Sequence, residues 1–230
     1  MIKEKFEKHE TAISILLIII YIVTNSFCMQ NFGLTDYRSV VMNFILSLVV
    51  ILFIVKNKLG EYYGLTKFPK FKPFIYFIPL LILMSVNLWG GVHINNTLSE
   101  IIFYILSMIC VGFLEEIIFR GFLFKMMAKD NENTAIIVSS LTFGIGHIIN
   151  VFNGAELIPT LIQVCYAIAV GYLFVIIFQK GKSLWPCIIA HAVINALSIF
   201  NIENTISTYI APAFLVLIPV SYAMYLRKEI

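Results

Sequence analysis

The 230 residues are 60% hydrophobic and only 13% charged, and their mean hydropathy is +0.93. A soluble domain is about half apolar and a quarter charged, so a single water-soluble core is excluded. The wealth of aromatic and branched aliphatic side chains excludes disorder, and 12 Gly and 4 Cys are too few for a collagen or a disulfide scaffold. A polytopic membrane protein remains. The net charge of +3 is small and gives no reason to expect a nucleic-acid partner; the partner the apolar composition implies is the lipid bilayer.

A helix needs roughly 20 mostly apolar residues to cross the hydrocarbon. In chain order, candidate spans fall at about 11–28, 40–55, 74–93, 101–124, 134–149, 157–178, 184–200 and 206–226. The first, second, fifth and seventh are short, which suits a smaller tilt or a locally thin bilayer. The stretch 98–128 exceeds one upright span, which places Leu98, Ser99 and Glu100 at the interface. The gaps leave no room for a soluble domain, and no internal repeat is visible. The expected fold is therefore all-α: a bundle of about eight transmembrane helices forming one integral membrane domain over 1–230, with a motif-bearing core at about 101–200.

Charge sets the expected orientation. With the N-terminus in the cytoplasm, all but two of the 16 Lys and Arg fall on the inner side. They are Lys3, Lys5 and Lys8, then Lys56, Lys58, Lys67, Lys70 and Lys72, then Lys125, Lys129, Lys180, Lys182, Arg227 and Lys228. Arg38 alone lies outside, and Arg120 falls within a span. This alternation follows the positive-inside rule and puts both termini in the cytoplasm. Asn25-Ser26-Phe27-Cys28 offers neither a small-x-small cleavage site nor a convincing lipobox, so the first span is expected to be a retained anchor. No Cys stands four residues from the C-terminus, so the chain itself is not expected to be prenylated. Cys28, Cys110, Cys165 and Cys187 are scattered through apolar runs and read as small hydrophobes.

Ionisable groups at membrane depth are costly and need a reason. The fourth span holds Glu115, Glu116 and Arg120 within six residues. Glu116 and Arg120 are four apart, share a helix face and can pair. Glu115 is rotated about 100° from its neighbour, so its partner must come from another helix. Of the four His, His9 reads as a solvated tail residue and His93 as an interfacial one. His147 shares a face with Phe143, and His191 with Asn195, each pair one turn apart. A single membrane His more often bridges helices than catalyses; two His, an Asn and an unpaired Glu on three spans weigh against that reading. By helical rise, Glu115, His147 and His191 lie ~16, ~20 and ~11 Å from the cytoplasmic ends of their spans, so they can meet at one level. That level sits toward the cytoplasmic half, and the site is expected to open there. Gly144 and Gly146 would let a helix approach beside His147, and Ser183 and Pro186 suit the start of the seventh helix.

Glu, two His and Asn suit peptide hydrolysis by an activated water: a carboxylate takes a proton, an imidazole helps hold the water, and neutral donors stabilise the oxyanion. The same four residues, Glu115, His147, His191 and Asn195, could instead ligate a divalent metal such as zinc, which would acidify the water. The residues alone leave both open.

The three motifs Glu115-Glu116-x-x-x-Arg120, Phe143-x-x-x-His147 and His191-x-x-x-Asn195 resemble those of the CPBP family of intramembrane proteases. This family is also called the Abi or CAAX-protease group and includes the type II CAAX prenyl endopeptidases. The resemblance implies an eight-helix intramembrane glutamic endopeptidase. Glu115 and His147 would activate water, His191 and Asn195 would stabilise the oxyanion, and Glu116, Arg120 and Phe143 would support them. It favours a mechanism that requires no cofactor. The implied substrate is a peptide or protein, lipid-modified or membrane-associated ones included. Eukaryotic relatives trim prenylated CaaX proteins, and bacterial ones are linked to peptide maturation, bacteriocin self-immunity and signalling. The short, loop-poor layout is expected of a bacterial plasma membrane. The competing reading is a non-catalytic immunity, scaffold or small transport protein whose Glu and His bind a ligand or proton. Against transport stands the lack of repeats and of paired broken helices.

Overall fold

A computed structural model describes residues 2–68 and 77–228, with side chains from His9 onward. The predicted start of the third span at 74–76 and the cations Lys70 and Lys72 lie outside the described residues, as do the side chains of Lys3, Lys5 and Lys8.

Among the described residues eight helices follow in order: α1 (Ile2–Asn31), α2 (Tyr37–Lys56), α3 (Ile78–Met84), α4 (Leu98–Met127), α5 (Glu132–Gly146), α6 (Leu157–Gly181), α7 (Trp185–Leu197) and α8 (Ile206–Lys228). Short 3-10 turns at Val86–Leu88 and Ser198–Phe200 extend α3 and α7, and α5 resumes after His147 as a turn at Ile149–Phe152. Six of these helices are long and apolar enough to cross a membrane, and Ile78–Leu88 and Trp185–Phe200 are shorter apolar helices. The chain is an all-α integral membrane protein. Rows of exposed apolar side chains, such as Leu16, Ile19 and Val23 on α1 and Phe44, Leu48 and Leu52 on α2, are the surface that lipid covers.

The short helices are the third and seventh, not the first, second or fifth. Helix formation outruns hydropathy at the polar flanks, because side chains there close the helix ends. Asp36 caps α2 by accepting from the Arg38 backbone N–H at 2.8 Å. Arg38 holds the Asp36 carboxyl at about 2 through its side-chain and backbone hydrogen bonds. Thr97 and Glu100 form a reciprocal capping box that starts α4 at Leu98. Leu98, Ser99 and Glu100 are thus the first turn of a single 30-residue helix. Within α4 the eight residues Ile117–Phe124 wind as a π-helix and are all buried. Pro186 sits in the first turn of α7 as expected, but Ser183 does not cap it: the cap position is Leu184, and no side chain bonds there.

Cross-helix hydrogen bonds define two ends of the bundle. At one end, Tyr62 reaches the Lys125 carbonyl, the Leu184 N–H reaches Gly64, and Arg227 reaches Asn133. At the other, Gln30 bonds Asn153, Asn150 bonds Gln163, and Asn204 bonds Gly90. The first end carries the Lys-rich loops and the second carries the amides. Packing differs too. Toward the basic end α6 is buried without interruption from Leu173 to Phe178, whereas its first half, Leu157–Tyr166, buries only Thr160. The core therefore fills the basic half of the bundle and leaves the amide half hollow.

Candidate active site

The backbones of α4 and α7 touch. A Cβ on Gly112 would lie 2.8 Å from the Ala192 nitrogen, so only glycine permits this approach. The contact sets His191 against both α4 carboxylates. Arg120 Nη1 lies 3.0 Å from Glu116 Oε1, and both side chains are fully buried. The same Oε1 is 2.8 Å from His191 Nδ1. Glu116 is therefore more than the counter-charge of Arg120: it also fixes the ring of His191.

Glu115 takes its partners from other helices, as its rotation off the Arg120 face requires. The Tyr21 hydroxyl of α1 donates to its Oε1, and His191 Nε2 lies 3.3 Å from its Oε2. With Nδ1–H of His191 given to Glu116, a proton belongs on one side of the Nε2–Oε2 contact, since two bare acceptors would repel. If it sits on His191, the two carboxylates, the guanidinium and the imidazolium sum to zero, which is how such a cluster survives burial.

His147 ends α5, where its ring Nδ1 lies 3.1 Å from the Phe143 carbonyl. That bond places the proton on Nδ1 and leaves Nε2 as an acceptor. Phe143 stands between the parts: its ring centroid is 5.2 Å from that of His147, 5.6 Å from that of His191 and 4.0 Å from the Arg120 guanidinium carbon. Gly144 allows close approach, because a Cβ there would lie 2.7 Å from the Ile168 nitrogen of α6. Gly146 does not serve this purpose; nothing lies within 4 Å of its missing Cβ, and it faces a cavity instead.

Two cavities meet at His147. One, of about 190 Å³, is lined by Tyr21, Glu115, His147, Asn150 and Gln163 among others. The second, of about 240 Å³, is lined by His147, His191, Asn195, Tyr104 and Tyr166 among others. His147 and Phe143 belong to both walls. The four polar residues singled out in the sequence are thus gathered around two hollows with a shared wall, while His9 and His93 are exposed. Among the described residues, no three His, Cys, Asp or Glu side chains converge as a metal site. Both ring nitrogens of His191 point at carboxylates, so the alternative zinc set would have to be assembled by breaking these contacts.

The cavity linings run toward the amide end of the bundle. Asn25, Ser26, Asn150, Asn153 and Gln163 line the first cavity, and Asn87 and Ser198 the second, all toward the amide end of their helices. Toward the basic end the space beyond Arg120 is filled by buried side chains such as Tyr63, Phe122 and Phe174. Sequence reading missed Tyr21, whose signal was a phenol in mid-span. It missed Glu10, buried against Lys129 and within 3.4 Å of Tyr62 at the basic end. The π-helical stretch after Glu116 carries no sequence signal that periodicity would detect; such turns recur at functional sites.

An α-helical membrane bundle with carboxylates and imidazoles around an internal cavity defines the class. The family comes from the chain itself: residues 97–197 match the family described as type II CAAX prenyl endopeptidase Rce1-like. The match covers the motif-bearing segment and agrees with the resemblance of its motifs. At family level this match supports a CAAX-type intramembrane protease, an enzyme class whose substrate is a peptide or protein. No curated protein matches the chain.

Proposed function

We propose that the protein is a glutamate-dependent intramembrane endopeptidase that cleaves a membrane-associated peptide, of the CAAX or bacteriocin-processing type. One observation carries this reading: Glu115 and His147 line one cavity, and His147 also walls the cavity that holds His191 and Asn195. Water held by His147 gives a proton to Glu115 as its oxygen attacks the scissile carbonyl carbon. The charge that develops on the carbonyl oxygen is met by His191 Nε2–H and the Asn195 amide. Glu115 then passes its proton to the amine nitrogen as the C–N bond breaks, leaving a carboxyl and an amine. Glu116, balanced by Arg120, accepts from His191 Nδ1, and the imidazolium form of His191 carries the Nε2–H that this requires. Tyr21 holds Glu115 by its other oxygen.

The test is cleavage of a fluorogenic peptide mixture by the purified full chain in proteoliposomes. Activity should vanish in Glu115→Gln and His147→Ala and survive EDTA and phenanthroline. Loss on chelation with recovery on added zinc would replace the metal-free step; full activity in Glu115→Gln would overturn the assignment of the base.

A further inference from the structure

We infer that the catalytic cavity takes its substrate from the side opposite the basic loops, the extracytoplasmic side, so that the substrate is a peptide exposed there or held in the outer half of the bilayer. The inference rests on the protease reading above.

Three independent observations meet in it. The first is charge. Lys56, Lys58, Lys67, Lys125, Lys129 and Lys182 all stand at or beyond the helix ends on one side, and a membrane protein retains such residues in the cytoplasm. The second is the rim. The cavity beside Glu115 is lined toward the other end by Asn25, Asn150, Asn153 and Gln163, neutral amides suited to the backbone of an extended peptide. Neither catalytic cavity is lined by Lys or Arg among the described residues, so nothing there would seize a terminal carboxylate. The third is the seal. Between Glu115 and the end of α4 at Met127 lie about 18 Å by helical rise, filled by Arg120, Tyr63, Phe122, Phe174 and Leu184, each with 0% of its surface exposed. A separate hollow of about 330 Å³ at the basic end, lined by Glu61, Lys125 and Lys182, shares no residue with the catalytic cavities.

A side route exists on the same half. An apolar groove of about 520 Å³ between α1 and α5 adjoins the catalytic cavity through Ile22, Phe119, Gly146 and Ile149. A peptide lying in the outer leaflet would reach Glu115 along it without crossing the seal.

The test is labelling of the full chain in intact cells with a membrane-impermeant maleimide, read as intact mass against the parent chain. Gly146→Cys, in the cavity wall with open space around it, should gain one label on intact cells. Lys67→Cys, in the basic loop, should gain it only after permeabilisation. Asn153→Cys at the rim reads the same face should Gly146→Cys prove unreactive. The reverse pattern overturns the inference. Mapping Glu115-dependent cleavage sites separates the two readings. Sites confined to cytoplasmic segments would overturn the access route and leave the protease standing. Absence of any such site would overturn the protease, while the labels still report which face the cavity meets.

Discussion

His191 Nδ1 lies 2.8 Å from Glu116 Oε1, the oxygen that Arg120 also reaches at 3.0 Å. A single carboxylate oxygen thus balances a buried guanidinium on its own helix and orients an imidazole on another. Stripping one partner from a buried pair costs about 3–5 kcal/mol. Arg120→Ala should therefore lower the amount of folded protein and its unfolding temperature in detergent. Glu116→Gln keeps the shape but not the charge, and should lose both stability and cleavage. Cleavage at the wild-type rate in folded Glu116→Gln would reduce Glu116 to a packing role.

Tyr21→Phe removes the hydroxyl that donates to Glu115 and nothing else. A hydrogen bond to a charged acceptor is worth about 1.5–3 kcal/mol. The variant should accumulate as folded protein and cleave about tenfold more slowly or worse. Parallel measurement of folded yield and turnover checks this, and unchanged turnover would remove Tyr21 from the site.

Two glycines should respond oppositely to the same methyl group. At Gly112 a Cβ meets Ala192 of α7 at 2.8–3.0 Å, while at Gly146 it meets nothing within 4 Å. Overpacking typically costs about 1–3 kcal/mol, so Gly112→Ala should unfold measurably earlier and pull His191 from the carboxylates. Gly146→Ala should stay within about 0.5 kcal/mol of the parent. Thermal unfolding of the two variants side by side decides it.

The all-α membrane class, the Glu116–Arg120 pair and the need for a foreign partner at Glu115 were legible in the sequence. Each follows from hydropathy and a 3.6-residue period, which are local properties. The identity of that partner was not. Tyr21 stands 94 residues away, and nothing local distinguishes it from a lipid-facing tyrosine. The packing below the site was not legible either. It depends on how completely Tyr63, Phe122 and Phe174 fill the space below Arg120, and such filling is a property of side chains from three segments together. The double role of Glu116 was hidden for the same reason, since only the approach of α7 at Gly112 brings His191 to it.

Asn195 lines the second cavity with His191. One oxyanion donor is worth about 10²–10³ in rate. Asn195→Ala should therefore retain a measurable remnant of activity where Glu115→Gln retains none. Equal and complete loss from both would give Asn195 a different part in the reaction.

The most direct measurement is quantitative mapping of peptide N- and C-termini in cells carrying the wild-type chain, Glu115→Gln or His147→Ala, with the amount of folded membrane protein matched. A set of termini should appear with the wild type and be missing from both variants. Identical termini in all three would contradict the account, and would leave the buried carboxylates and imidazoles to packing or ligand binding.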